Sequence, residues 1–185
     1  MKFAVHTVLG LSLVLAAPAF AAPAAAPAPV AAPAAAVAPS AAHVKAVQDL
    51  LGAMQVEKLL RGVAGRSRYQ SAAQRQAVFA KLDKTPPAEV QRRLAGPLAQ
   101  VISAETATEM TRFYQTPYGK QLIAQKYDSA PQIVMSGMKP VLAPEEKKER
   151  KRAAYVKASK ELADAQPAIE REAFQLLQMI NKEKR

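Results

Sequence analysis

The chain has 185 residues, no cysteine, no tryptophan and a formal net charge of +11. Without cysteine there is no disulfide, no thiol nucleophile and no lipid-modified cysteine at a processed N-terminus. Of its two histidines only His43 lies beyond residue 21, which argues against a histidine triad or a histidine metal site.

Met1 and Lys2 make a short positive start, Phe3 to Ala17 an apolar run, and Ala19-Phe20-Ala21 a small-x-small cleavage site. Residues 1–21 therefore read as a secretory signal peptide. The apolar run is shorter than the roughly 20 residues a membrane helix needs. The mature chain is expected to carry no transmembrane span and to be periplasmic or secreted. Residues 22–42 contain only Ala, Pro, Val and Ser. They read as a disordered spacer, partly extended as polyproline II. Residues 43–185 hold every charge except Lys2 and are expected to form one bundle-like all-α domain of about six or seven helices.

Val44, Val47, Leu51 and Met54 step at helical spacing, and Gly52 suggests a break near Ala53. Leu59, Leu60 and Val63 open a second helix whose stripe resumes at Val78, Phe79 and Leu82. Thr85 is placed to cap a third, from about Pro87 to Ala95, which Gly96-Pro97 bends or ends. Leu98, Val101 and Ile102 lead to Ser103, an N-cap with Glu105 in the first turn behind it. Ala107, Met110, Phe113 and Tyr114 follow on one face. Thr116 precedes a proline and so leaves the α region. It caps a new helix that starts on Pro117. Gly119 sits inside that helix at a cost in propensity, which suggests close packing. A further helix is expected with Ala130, Val134, Met138 and Val141 on one face. Another starts at Pro144 and runs through Tyr155, Ala158, Ser159 and Leu162. Pro167 opens the last, with Ile169, Ala173, Leu176, Leu177 and Ile180 inward. No β-strand pattern survives inspection.

The stretch FYQTPYGKQL resembles the motif of a bacterial family of exported proteins called domain of unknown function 2059. The residues that carry the resemblance are Phe113, Tyr114, Thr116, Pro117 and Gly119, after the acidic positions Glu105 and Glu109. Pro131 is similar to the family's second proline, and LLGAMQVEKLL (Leu50–Leu60) to its paired leucines. The resemblance spans about residues 44–138, leaving residues 144–185 as additional C-terminal helices. It implies an all-helical exported domain and supplies no catalytic residues.

Chemistry read from the residues is sparse. Ser136-Gly137-Met138-Lys139 matches Ser-x-x-Lys, but the companion motifs of penicillin-recognising enzymes are missing. Glu105 and Glu109 stand one turn apart, as for a metal or an acid–base pair, yet fit a solvated helix face. No glycine loop cradles a phosphate, and no cofactor is expected. Tyr114 and Tyr118 flank the corner at Thr116-Pro117, where a groove between helices suits a peptide or lipid chain. Tyr118 completes the candidate motif site with Phe113, Tyr114, Thr116, Pro117 and Gly119. Arg61, Arg66, Arg68 and Arg75 form a candidate patch for anionic surfaces. With an export signal present, an envelope surface or envelope protein is the expected partner, not nucleic acid. The expected function is non-enzymatic binding in the cell envelope. The alternatives are an envelope chaperone, which lacks the Leu-Thr-x-x-Gln signature, and a carboxylate-dependent hydrolase of an envelope polymer.

Overall fold

The structure is a computed structural model that describes residues 38–128 and 143–183. Signal peptide, most of the spacer, the expected helix around Val134 and the Ser136–Lys139 motif lie outside the described residues. Every regular element among the described residues is a helix. These residues form nine: α1 (Ala41–Ala53), α2 (Val56–Arg66), α3 (Ala72–Asp83), α4 (Pro87–Leu98), α5 (Ala104–Gln115), α6 (Pro117–Asp128), α7 (Pro144–Glu149), α8 (Ala153–Asp164) and α9 (Gln166–Lys182).

The excess over six or seven comes from two breaks inside stretches expected to be continuous helix. The stretch from Leu59 to Leu82 is two helices. Ser67 turns extended after α2, and the Ser71 hydroxyl accepts from the Gln74 amide to start α3. The stretch from Pro144 to Asp164 is also two, because Arg152 adopts φ −90° and ψ 117° between α7 and α8.

Other boundaries shift for local reasons. Ser40, inside the expected spacer, caps α1 by accepting from the His43 amide. The break after α1 falls where expected, just past Ala53, and Gln55 makes the turn. Gln55 takes the left-handed conformation at φ 52° and is the one non-glycine residue with positive φ among those described. Thr85 does not cap α4. Its hydroxyl donates back to the Lys81 carbonyl, and Pro86 holds the cap position. Pro97 lies within α4, which continues to Leu98 instead of ending at Ala95. A proline there removes one backbone donor from the last turn without ending it.

Two layers meet on α1 and α4. α1 packs against α4 and α5, and α5 carries α6 and α8 on its other sides. α9 returns across α2, α3 and α4. One continuous core runs through both, with Leu50, Leu51, Leu60, Leu94, Leu98, Ile102, Phe113, Ile169, Leu176 and Ile180 all buried. Burying such a side chain contributes about 1.5–3 kcal/mol each. The helical spacing read from the sequence thus selects the inward face of nearly every element. Val101 is an exception, at 44% exposed on the turn before α5.

Polar side chains fasten the ends. Lys81 donates to the carbonyls of Asn181 and Glu183, satisfying the C-terminal end of α9. His43 Nε2 lies 2.7 Å from the Ile102 carbonyl oxygen, so the proton is on Nε2 and the ring ties α1 to the turn before α5.

Candidate functional site

The α5–α6 corner is built as its residues dictate. Ser103 accepts from the Thr106 amide at 3.2 Å and starts α5. Thr116 turns extended at ψ 156°, donates to the Phe113 carbonyl and accepts from the Gly119 amide at 3.0 Å. Both caps match the expectation. α6 therefore folds back tightly along the end of α5. A Cβ on Gly119 would overlap the Phe113 carbonyl oxygen and stand 2.7 Å from the Tyr114 Cα. Gly119 is buried, and its small size is what permits the approach.

Aromatic rings gather around buried Phe113. Tyr114, Tyr118 and Tyr155 have ring centroids 5.3, 6.3 and 4.8 Å from it. Burial pushes the Tyr114 phenol up to about 12. The Tyr118 hydroxyl reaches the other way and donates to Glu146 Oε2 at 2.9 Å.

That bond attaches α7. A second attachment is a closed ring of four charges. Arg112 of α5 contacts Glu109 at 2.8 Å and Glu149 at 2.6 Å. Arg152 contacts the same two carboxylates at 2.9 and 3.0 Å. Side-chain exposure is only 14–15% for the two glutamates. Hydrogen bonds from Arg112 hold the Glu149 carboxyl below the usual carboxylate range against the opposing effect of burial, with Arg152 adding to the effect. Glu109 and Glu149 raise Arg112 in return.

Between the corner and α7 lies a cavity of about 500 Å³. Phe113, Pro117 and Tyr118 supply an apolar wall, and Ala143 faces them from the start of α7. Thr116, Gln121, Glu145, Lys148 and Glu149 supply polar edges of both signs. The size falls in the range of small-molecule and peptide side-chain sites. Tyr114 does not line it. That tyrosine is turned toward the core, so of the two flanking tyrosines only Tyr118 faces the groove.

The other candidates are dispersed. Glu105 is exposed and pairs with Lys157 at 3.1 Å, while Glu109 is inside the ion ring, so the two carboxylates face different partners. No group of three or more His, Asp or Glu among the described residues is arranged to hold a metal ion. The arginines of the candidate anionic-surface patch have these surroundings. Arg61 and Arg75 each lie 5.8 Å from the Phe79 ring, and Arg61 is paired with Asp83. Arg68 instead lines a cleft of about 120 Å³ with Tyr69, Gln74, Gln178 and Asn181. No helix among the described residues is long and apolar enough to cross a membrane.

Comparison with protein-family models, with curated proteins and with solved structures finds no match for this chain.

Sequence reasoning missed the residues that complete the site from α7 and α8. Glu145, Glu146, Glu149, Arg112 and Arg152 carry no motif that singles them out among the many charged residues of the chain. Their spacing contains a faint signal, because Glu146 and Glu149 share one side of a short helix. Glu161 left no signal at all. It accepts from the Ser103 amide at 2.6 Å, the Ser103 hydroxyl at 3.1 Å and the Thr106 hydroxyl at 2.8 Å.

Proposed function

We propose that this chain is an exported, non-enzymatic binding protein of the cell envelope whose ligand site is the cavity at the α5–α6 corner. The observation that carries the reading is the coincidence of that cavity with the one segment whose residues resemble a family motif. Phe113, Thr116, Pro117 and Tyr118 belong to both. The resemblance to domain of unknown function 2059 supports export, as do residues 1–21.

The walls favour an extended peptide over an acyl chain. One apolar side chain fits against Phe113, Pro117 and Tyr118, while Thr116 and Gln121 offer hydrogen bonds to a backbone. Glu145 and Lys148 offer both signs of charge at the edge. An acyl chain has no use for such a rim. Selection of phage-displayed random peptides on the mature chain tests the idea. The expected sequences carry an apolar or aromatic residue flanked by charges of both signs. Tyr118→Ala is expected to weaken their binding roughly ten-fold, as for a central aromatic contact. Peptides that bind Tyr118→Ala equally well place the site elsewhere. Preferential uptake of a fluorescent fatty acid, with no peptide selected, makes the ligand a lipid.

Export has its own check. Mass spectrometry of the protein recovered from the envelope fraction is expected to find Ala22 at the N-terminus, after cleavage at Ala19-Phe20-Ala21. A chain retaining Met1–Ala21 is an anchored protein instead.

A further inference from the structure

We propose that α7 is a polar strap across the corner cavity, held shut by Glu146 and Glu149 and opened when those carboxylates are neutralised. This rests on the cavity being the ligand site and adds a control over it.

α7 is unlike the other helices. It is six residues long, and none of them is buried. Core packing therefore does not hold it. It nevertheless forms one wall of the cavity through Glu145, Lys148 and Glu149, opposite Phe113, Pro117 and Tyr118. What fastens it across the opening is polar. The Tyr118 hydroxyl of α6 donates to Glu146 at 2.9 Å. Arg112 of α5 and Arg152 ahead of α8 grip Glu149 at 2.6 and 3.0 Å, with Glu109 closing the ring. An element without buried apolar surface is drawn from the low-stability end of a fold and opens first. The extended backbone at Arg152 separates α7 from α8 and supplies the pivot.

Arginines face both carboxylates. Glu149 faces Arg112 and Arg152, with Glu109 the other carboxylate of the ring. Glu146 faces Arg150 at 2.6 Å just past the end of its own helix, Tyr118 on α6 and the Tyr155 phenol on α8. Burial raises Glu146, but the Arg150 and Tyr118 hydrogen bonds outweigh it and leave the carboxyl below its ordinary range. Glu149 is lowered chiefly by Arg112. Both groups therefore stay ionised through neutral pH. The strap is closed above the ordinary carboxylate range and lets go as pH falls through the lowered folded values. Neutralising either carboxylate by mutation reproduces the open state at neutral pH.

The absence of cysteine allows a clean reporter. Lys148→Cys, labelled with a polarity-sensitive fluorophore, places the probe on the cavity wall. Adding Glu146→Gln and Glu149→Gln is expected to shift its emission to the red at neutral pH, with far-UV circular dichroism unchanged. Glu105→Gln, outside the strap, is expected to leave emission unchanged. Should the double variant fail to fold, Arg152→Gln, outside the cavity, is expected to give a smaller red shift. A peptide selected for the cavity is expected to associate roughly ten-fold faster with the opened variant, since a larger share of molecules is binding-competent. Unshifted emission in the folded variants overturns the strap. Shifted emission with unchanged peptide association supports the strap and overturns the cavity as the ligand site.

Discussion

Gly119→Ala is expected to lower stability by about 2 kcal/mol, although alanine is the better helix former. The new Cβ meets backbone, not a side chain that can swing away. It overlaps the Phe113 carbonyl oxygen and comes within 2.9 Å of the Phe113 carbonyl carbon. Overpacking of this kind costs roughly 1–3 kcal/mol, and a backbone contact lies at the upper end. The gain in propensity returns at most about 1 kcal/mol. The net loss corresponds to a fall in melting temperature of roughly 5–10 °C for a domain of this size. Gly65→Ala provides the opposite sign within the same chain. Nothing lies within 4 Å of the place its methyl group would take, so only the propensity gain of about 0.5–1 kcal/mol remains. Urea midpoints of the two variants settle the matter. A midpoint for Gly119→Ala at or above that of the unaltered chain would show that α6 can move off α5 at no cost.

Glu161→Gln is expected to cost about 2 kcal/mol at neutral pH. Glutamine can still accept the Ser103 amide proton, but its amide nitrogen cannot accept from the hydroxyls of Ser103 and Thr106. Thr106 is 1% exposed, so its hydroxyl would lose its acceptor away from water. An orphaned buried donor costs about 1–3 kcal/mol, and bonds to a charged acceptor are the stronger ones. The effect depends on pH in a defined direction. Burial raises the Glu161 carboxyl, but the Ser103 amide and the Thr106 and Ser103 hydroxyls more than offset it and hold it below the ordinary range. A lowered folded value contributes stability that is complete above the unfolded value of about 4.3 and disappears as pH falls through the folded one. The difference between Glu161→Gln and the unaltered chain should therefore close in acid. Urea titrations at neutral and acidic pH measure it. A gap of constant size would mean that glutamine loses shape complementarity and not charge.

The same three bonds mark the limit of reading structure from sequence. Ser103, Thr116, Pro117 and Gly119 were legible because each acts within a turn of its own position. Capping hydroxyls, a proline that forbids helix before it and a glycine without a Cβ constrain the nearest few residues whatever the rest of the chain does. Glu161 serves α5 from 58 residues away in the chain. No local pattern encodes such a reach, and the residue looks like any other glutamate on an exposed helix.

The corner pocket divides in the same way. Its α5–α6 wall follows from the motif residues. Its α7 wall depends on where the chain goes after Asp128, and spacing says nothing about that. The surroundings of the arginine stretch also depend on tertiary structure. Arg61, Arg66, Arg68 and Arg75 are neighbours in sequence, but the break at Ser67 to Ser71 sends Arg68 toward α9 and Arg75 to the Phe79 ring beside Arg61.

Apolar spacing by itself determined an all-helical domain and which side of nearly every helix faces inward, because burial of a 3.6-residue stripe dominates the energy of each element. Turn chemistry by itself determined the α5–α6 corner. Only the tertiary structure decided that Glu145–Arg152 would not be one helix. Those residues are good helix formers with no glycine or proline among them. They leave the helix at Arg150 to Arg152, where Glu149 and Arg152 close an ion ring with Glu109 and Arg112 on α5. Propensity amounts to tenths of a kcal/mol per residue and acts locally, whereas a ring of charges joining α5 to the α7–α8 turn is a long-range contact that no local pattern encodes.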